Sequence, residues 1–190
     1  MVYYGLPQRN TKPTVLVYCE GLEDAAFLKY LKHLYHQDHI DPRVRIQSDR
    51  GGTADGIVLD ALNVYGDYSY RVVVLDNDKK LEEMQKAQKL ALANNIILVL
   101  STPCMERLLL EVMNHSDLNP KLGSNKCKKL FEDSYFVGLD RTDWGDYGRI
   151  FLKKSLNARM SQLVGLKRMH NLVRGDMEHV SSDVIGVTTL

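Results

Sequence analysis

Cysteine is scarce in these 190 residues: Cys19, Cys104 and Cys127 are odd in number and never form a C-x-x-C pair. That excludes a disulfide framework or a structural zinc site as the organising element and fits a reducing cytoplasm. Long apolar runs are missing too. None approaches the ~18–20 residues of a membrane helix, so no membrane partner is expected. The opening stretch from Met1 to Arg9 lacks the apolar block of a signal peptide. There is no internal repeat and no low-complexity tract. Acid is absent from one long segment: from Arg149 to Arg174 stand seven basic residues (Arg149, Lys153, Lys154, Arg159, Lys167, Arg168, Arg174) and no Asp or Glu. The formal net charge is only +1, so the chain ahead of that segment is acidic on balance. An acidic front and a basic back suit a metal site acting on a polyanion, although a solvated cationic helix face has the same composition.

What is present is ordinary globular material, 44% hydrophobic and 26% charged, long enough for one sizeable core. Thr14 to Cys19, T-V-L-V-Y-C, is a short continuous apolar run and reads as a buried strand. Glu20-Gly21 breaks it. A helical pattern follows from about Leu22 to His36, with Ala26, Phe27, Tyr30, Leu31 and Leu34 on one face. Asp41-Pro42 closes that unit, and residues 43–47 alternate as a more exposed strand. A helix through Ile57 to Val64, a strand over 71–75 and an Ala/Leu/Lys/Glu helix from Lys80 to Asn94 come next. A strand over 96–100 and a helical run from Glu106 to Met113 complete the alternation. Buried strands alternating with helices predict right-handed crossovers and a mostly parallel sheet. Beyond Asn114 the pattern weakens: Phe131 to Leu139 reads as holding a strand, and Tyr147 to Val173 as largely helical. The organisation expected is an arm over 1–12, a core over 13–116 and a basic helical extension over 117–190.

In open parallel sheets, ligands sit beyond the carboxyl ends of the strands. Three of the expected strands end in acid. The first runs into Glu20, with Asp24 four residues on, and the third ends at Asp76 and Asp78. On extended backbone that two-residue spacing turns both carboxylates to one side. The fourth leads through Ser101 to Glu106. Like charges packed together raise one another's pKa or recruit a cation. Oxygen ligands without Cys or His favour Mg²⁺ or Mn²⁺, whose natural chemistry is phosphoryl transfer. Each acid alone has a plainer reading. Glu20-Gly21 can simply end a strand, Asp24 can favour a helix start, Asp-Asn-Asp is a common turn, and Glu106 can pair with a surface lysine.

These residues, in this order, resemble the Toprim domain: Glu-Gly after the first strand and Asp-x-Asp after the third. Y-C-E-G-L-E-D (18–24), V-V-V-L-D-N-D (72–78) and S-T-P-C-M-E-R-L-L-L (101–110) are most similar to RloB-like and OLD-type Toprim proteins. The third run is the most specific. The likeness covers roughly residues 14–115. It departs from the pattern at Leu22-Glu23-Asp24, where Thr or Ser usually precedes the acid, at Met105, which replaces an aromatic, and at Arg107-Leu108. It implies a Toprim-like three-layer sandwich, metal-dependent cleavage of DNA or RNA, and a setting in bacterial or phage defence. On this carry-over Glu20 ligates metal or acts as general acid/base, Asp76 and Asp78 hold metal, and Asp24 and Glu106 complete one or two sites. An ATPase partner and self-association stay open.

Other features carry less. His33, His36 and His39 read as a polar helix end rather than a zinc site. Arg50-Gly51-Gly52-Thr53 lacks P-loop spacing. Lys126, Lys128 and Lys129 extend a basic track. Lys153, Lys154, Arg159, Lys167 and Arg168 are the candidates for phosphate-backbone contacts. Trp144 and Tyr147 suit either base stacking or burial. Two other functions share the fold: a non-catalytic regulatory module that binds nucleic acid or a partner, and a phospho-acceptor domain using Asp76 and Ser101. The latter lacks a clear lysine after a fifth strand.

Overall fold

A computed structural model describes residues 12–48, 51–181 and 183. The expected N-terminal arm therefore lies outside the described residues except for Lys12, as do Arg50 of the glycine loop and the end of the C-terminal segment. In chain order the elements are β1 (Thr14–Cys19), α1 (Leu22–Tyr35), β2 (Arg43–Ser48), α2 (Ala54–Asn63), β3 (Tyr70–Asp76), α3 (Leu81–Ala93) and β4 (Ile96–Ser101). Then follow α4 (Met105–Val112), α5 (Ser124–Tyr135), α6 (Trp144–Ile150), α7 (Lys153–Met160), α8 (Val164–Arg174) and a 3-10 turn at Met177–His179. The protein is α/β, with a four-stranded, all-parallel sheet in the order β2-β1-β3-β4.

The continuous apolar strands are explained by what lies on both faces of the sheet. Val15, Val17, Cys19, Val72, Val74 and Val99 face a core completed by α1 and by side chains from α4 to α8. Tyr18, Val73, Leu75, Ile96 and Leu98 point the other way, onto Ala54, Ile57 and Val58 of α2 and Met84, Ala87 and Ala91 of α3. That makes three layers.

Helix α1 begins where Gly21 takes an extended conformation and Asp24 reaches back to the Gly21 N–H at 3.3 Å. It ends at His36, whose backbone is extended again. Phe27, fully buried, sits against Tyr147 at 5.6 Å and Phe151 at 5.7 Å between ring centroids. Phe131 of α5 stacks on Phe151 at 6.2 Å. The segment after residue 117 thus supplies one wall of the main core.

One local expectation is corrected. Phe131–Leu139 holds no strand: Cys127 and Phe131, four apart, bury one face of α5, which runs to Tyr135 before a turn in which the Leu139 N–H donates to Phe136 O. Residues 147–173 are largely helical, as expected, and fall in three helices, with caps at Leu152 and Leu163. No described helix is long and apolar enough to cross a membrane.

Both sheet edges are guarded. On β2, Arg43 and Arg45 are exposed. Along β4, the Asp183 N–H donates to Leu98 O at 2.8 Å and its carboxylate accepts from the Leu100 N–H at 2.6 Å. Arg168 holds the same carboxylate at 2.6 Å.

Candidate functional site

Parallel register brings the carboxyl ends of β1, β3 and β4 to one rim. Cys19 lies level with Val74, and Asp76 with Ser101. The Glu20 N–H extends the ladder by donating to Val74 O at 3.0 Å. From β1 the chain leaves toward β2, and from β3 it leaves toward β4, so the connections diverge between β1 and β3. In doubly wound sheets that divergence opens a crevice beyond the strand ends.

A cleft of about 280 Å³ lies there, lined by Glu20, Asp24, Asp76 and Glu106, with Lys128 and Thr142 opposite. Glu20 arrives from the end of β1, Asp24 from the first turn of α1, Asp76 from the last residue of β3 and Glu106 from the first turn of α4. Asp24, Asp76 and Glu106 are buried. Three of the four acids are held by cations. Lys79 contacts Glu20 at 2.9 Å, Lys128 contacts Asp76 at 2.7 Å, and Arg141 binds Glu106 directly while also reaching Glu23 at 3.3 Å. Asp76 further accepts from the Met105 N–H at 3.1 Å, and the Asp76 N–H donates to Glu20 at 3.3 Å.

Asp24 differs from the other three. Among the described residues its carboxylate forms no ion pair and accepts only from the Gly21 N–H. Burial, followed by the charges of Asp76 and Glu106, raises it well above the ordinary carboxylate range; Lys128 and the Gly21 N–H pull the other way without prevailing. Burial also pushes Asp76 up to about 6, against the hydrogen bond and charge of Lys128. Burial draws the Lys128 ammonium down, but Asp76 more than reverses this, so the lysine stays charged. Burial first, and the neighbouring acids second, thus favour the protonated form of Asp24, while Lys128 stays paired with Asp76. One oxygen of Glu106, Oε2, is buried without any hydrogen-bond partner. Buried thiols take no part, since burial pushes Cys104 up to about 12.

Asp78 stands apart. The strand stops at Asp76, and residues 77–78 turn, so the two acids do not share one extended backbone as their spacing predicts. Asp78 lines a neighbouring hollow instead. The proposed backbone contacts also separate. Lys153 donates to Leu34 O at 2.8 Å, at the far end of α1, roughly 15 Å along the helix from Asp24 at 1.5 Å per residue. Arg159 is taken up by Glu111 O at 2.8 Å and Gln162 at 2.6 Å, and Arg168 by Asp183 and Ser181 O. Lys154 and Lys167 are exposed and have no ion pair among the described residues. Tyr147 is fully buried, with its hydroxyl donating to Glu23 O at 3.2 Å, whereas Trp144 is 42% exposed against His33.

Sequence reasoning missed three contributors. Lys79 and Arg141 gave no signal, and Lys128 registered only as part of a basic track. Their roles depend on contacts 35 to 59 residues away in the chain.

The donor set fits a hard divalent cation: five carboxylates line one cleft, Glu23 among them, with no Cys or His and with a Glu106 oxygen that has no partner. Among the described residues no three acids, histidines or cysteines already converge on one point. In this arrangement the lysines and the arginine hold the carboxylates instead. No family model, curated protein or solved structure matches the chain in comparison.

Proposed function

We propose that this chain is a Toprim-type nuclease that hydrolyses phosphodiester bonds of DNA or RNA with Mg²⁺ or Mn²⁺. The observation that carries the reading is the convergence of Glu20, Asp24, Asp76 and Glu106 on one cleft at the β1/β3 divergence, with one Glu106 oxygen left without a partner. Those four residues would hold the metal, and Asp78, one turn away, borders the approach. A bound divalent ion supplies a water of lowered pKa and neutralises charge developing on a phosphate. The chain's own part is to orient and exclude. Asp76 is fixed by the Met105 N–H, and Glu20 by the Asp76 N–H and Lys79. Lys128, charged and partly exposed in the cleft lining, would meet an entering phosphate. Glu20, half-buried at the end of β1, would either ligate the metal or take and return a proton. The three cysteines are free and buried, which supports a reducing, cytoplasmic setting.

The test is a cleavage screen over tRNA, single-stranded and duplex substrates, with Mg²⁺, with Mn²⁺ and with EDTA. Cleavage should need metal and disappear in Glu20→Ala and Asp76→Ala, while circular dichroism shows both variants folded. A second reading has its own support: three of the four acids already have cationic partners, as a resting regulatory module would. Tight binding of nucleic acid with no cleavage under any metal would replace the nuclease by that module.

A further inference from the structure

One of the cations that hold the cleft acids is bound differently from the other two. Lys79 and Lys128 each meet a single carboxylate, Glu20 at 2.9 Å and Asp76 at 2.7 Å. Arg141 meets three. Its guanidinium binds Glu106 Oε1 and reaches Glu23 at 3.3 Å and Glu132 at 3.7 Å, so α4, α1 and α5 each send it one acid. Its side chain is only 12% exposed. A guanidinium keeps its charge in any protein setting and offers its donors in a fixed planar fork, which suits a lasting grip on carboxylates.

The segment that carries Arg141 is tied on both sides. Phe136 packs on Phe131 and Tyr147, with ring centroids 5.3 and 4.9 Å apart. The Asp140 carboxylate accepts from the Thr142 N–H and hydroxyl, both at 2.8 Å, and the Asp140 N–H donates to Asp146 at 2.9 Å. Asp143 caps α6 by accepting from the Gly145 N–H at 2.8 Å. An ion entering at Glu106 Oε1 would have to break this framework to move the guanidinium out. The two oxygens of Glu106 are thereby divided. Oε1 belongs to Arg141, while Oε2 is buried without a hydrogen-bond partner, which is unfavourable unless something else supplies one. Beside it in the cleft lining, Asp24 forms no ion pair among the described residues.

We propose that Arg141 is a built-in counter-ion that closes Glu106 and Glu23 to a second metal, so that the cleft takes a single divalent ion, an assignment that rests on the metal-dependent reading above. Arg141 is then a positioning residue: it fixes Glu106 by one oxygen and leaves the other to the ion shared with Glu20, Asp24 and Asp76. The test counts ions and needs no substrate. Mn²⁺ is titrated into the full chain, and the unbound ion is read by electron paramagnetic resonance, with circular dichroism confirming that each variant is folded. Wild type should bind one ion per chain. Arg141→Gln removes the charge but keeps a polar side chain, and should bind two. Arg141→Lys keeps the charge and should stay at one. Lys128→Gln also removes a cation from the cleft, yet should stay at one, because Asp76 belongs to the ion already counted. Glu106→Gln should keep the count at one and weaken the affinity about tenfold.

Two ions on wild type, or a single ion on folded Arg141→Gln, overturns the proposal and leaves the nuclease reading in place. Unchanged affinity in Glu106→Gln overturns it as well, and decides the matter should Arg141→Gln fail to fold. No ion on any of these proteins overturns both readings. Counts of one for wild type and two for Arg141→Gln in a chain that never cleaves uphold the role of Arg141 and remove only the nuclease.

Discussion

Replacing Asp76 by Asn should stabilise the metal-free protein above neutral pH and leave it unchanged near pH 4. An Asp carboxyl in an unfolded chain titrates near 3.9, whereas burial holds Asp76 at about 6 in the fold. Between those values the folded state keeps a proton that the unfolded state has lost. Stability from this group is therefore complete below about 4 and is lost as the pH climbs through about 6. At ~1.4 kcal/mol per pH unit, the rise from about 3.9 to about 6 sets the cost of the ionised carboxylate near 3 kcal/mol, a figure that already contains the attraction of Lys128. Asn retains the shape and can accept the Met105 N–H, and Lys128, 37% exposed, can turn to water. The net gain at pH 8 is therefore about 3 kcal/mol. Urea unfolding of both proteins from pH 4 to 8 measures it. The gap should open between about pH 4 and pH 6 and then stay level. Mn²⁺ at a hundred times its Kd should close most of the gap at pH 8, since it stabilises the wild type by about 2.7 kcal/mol and the Asn variant less. A gap independent of pH, or an Asn variant less stable than wild type at pH 8 without metal, would refute the reasoning.

Three further outcomes follow from the same geometry. Arg141→Met strands Glu106 buried without its cation and should cost about 3–5 kcal/mol in urea unfolding, much of it recovered by adding Glu106→Gln. Phe27→Ala should cost about 3–5 kcal/mol, because it empties the centre of the Tyr147 and Phe151 cluster. Asp41 runs opposite to Asp76. Although burial opposes it, bonds from Arg174 at 2.9 Å and the Gln37 N–H at 2.9 Å hold its carboxyl below the usual range. Its stabilisation is present above the unfolded pKa and is lost as pH falls through the folded one, so Asp41→Asn should be less stable than wild type at pH 7, with the deficit closing in acid.

The sheet was legible because its strands are buried on both faces, and a run such as Val72-Val-Val-Leu75 admits few other readings. The acids were legible for a related reason: Glu20 and Asp76 stop apolar strands, and parallel register carries such stops to one rim. The cations were not. Lys128 and Arg141 reach the cleft from elements placed by aromatic packing around Phe131, Tyr147 and Phe151, and no local pattern encodes that approach. Asp78 was misplaced because the two-residue argument assumed extended backbone where β3 had already ended. The misread strand near Phe131 came from a short apolar run too brief to reveal its period.

Asp183 occupies hydrogen-bonding positions along β4 that another strand would need, and the arginines of β2 set like charges against any copy of itself. Zipper-like growth through either flank is thereby obstructed.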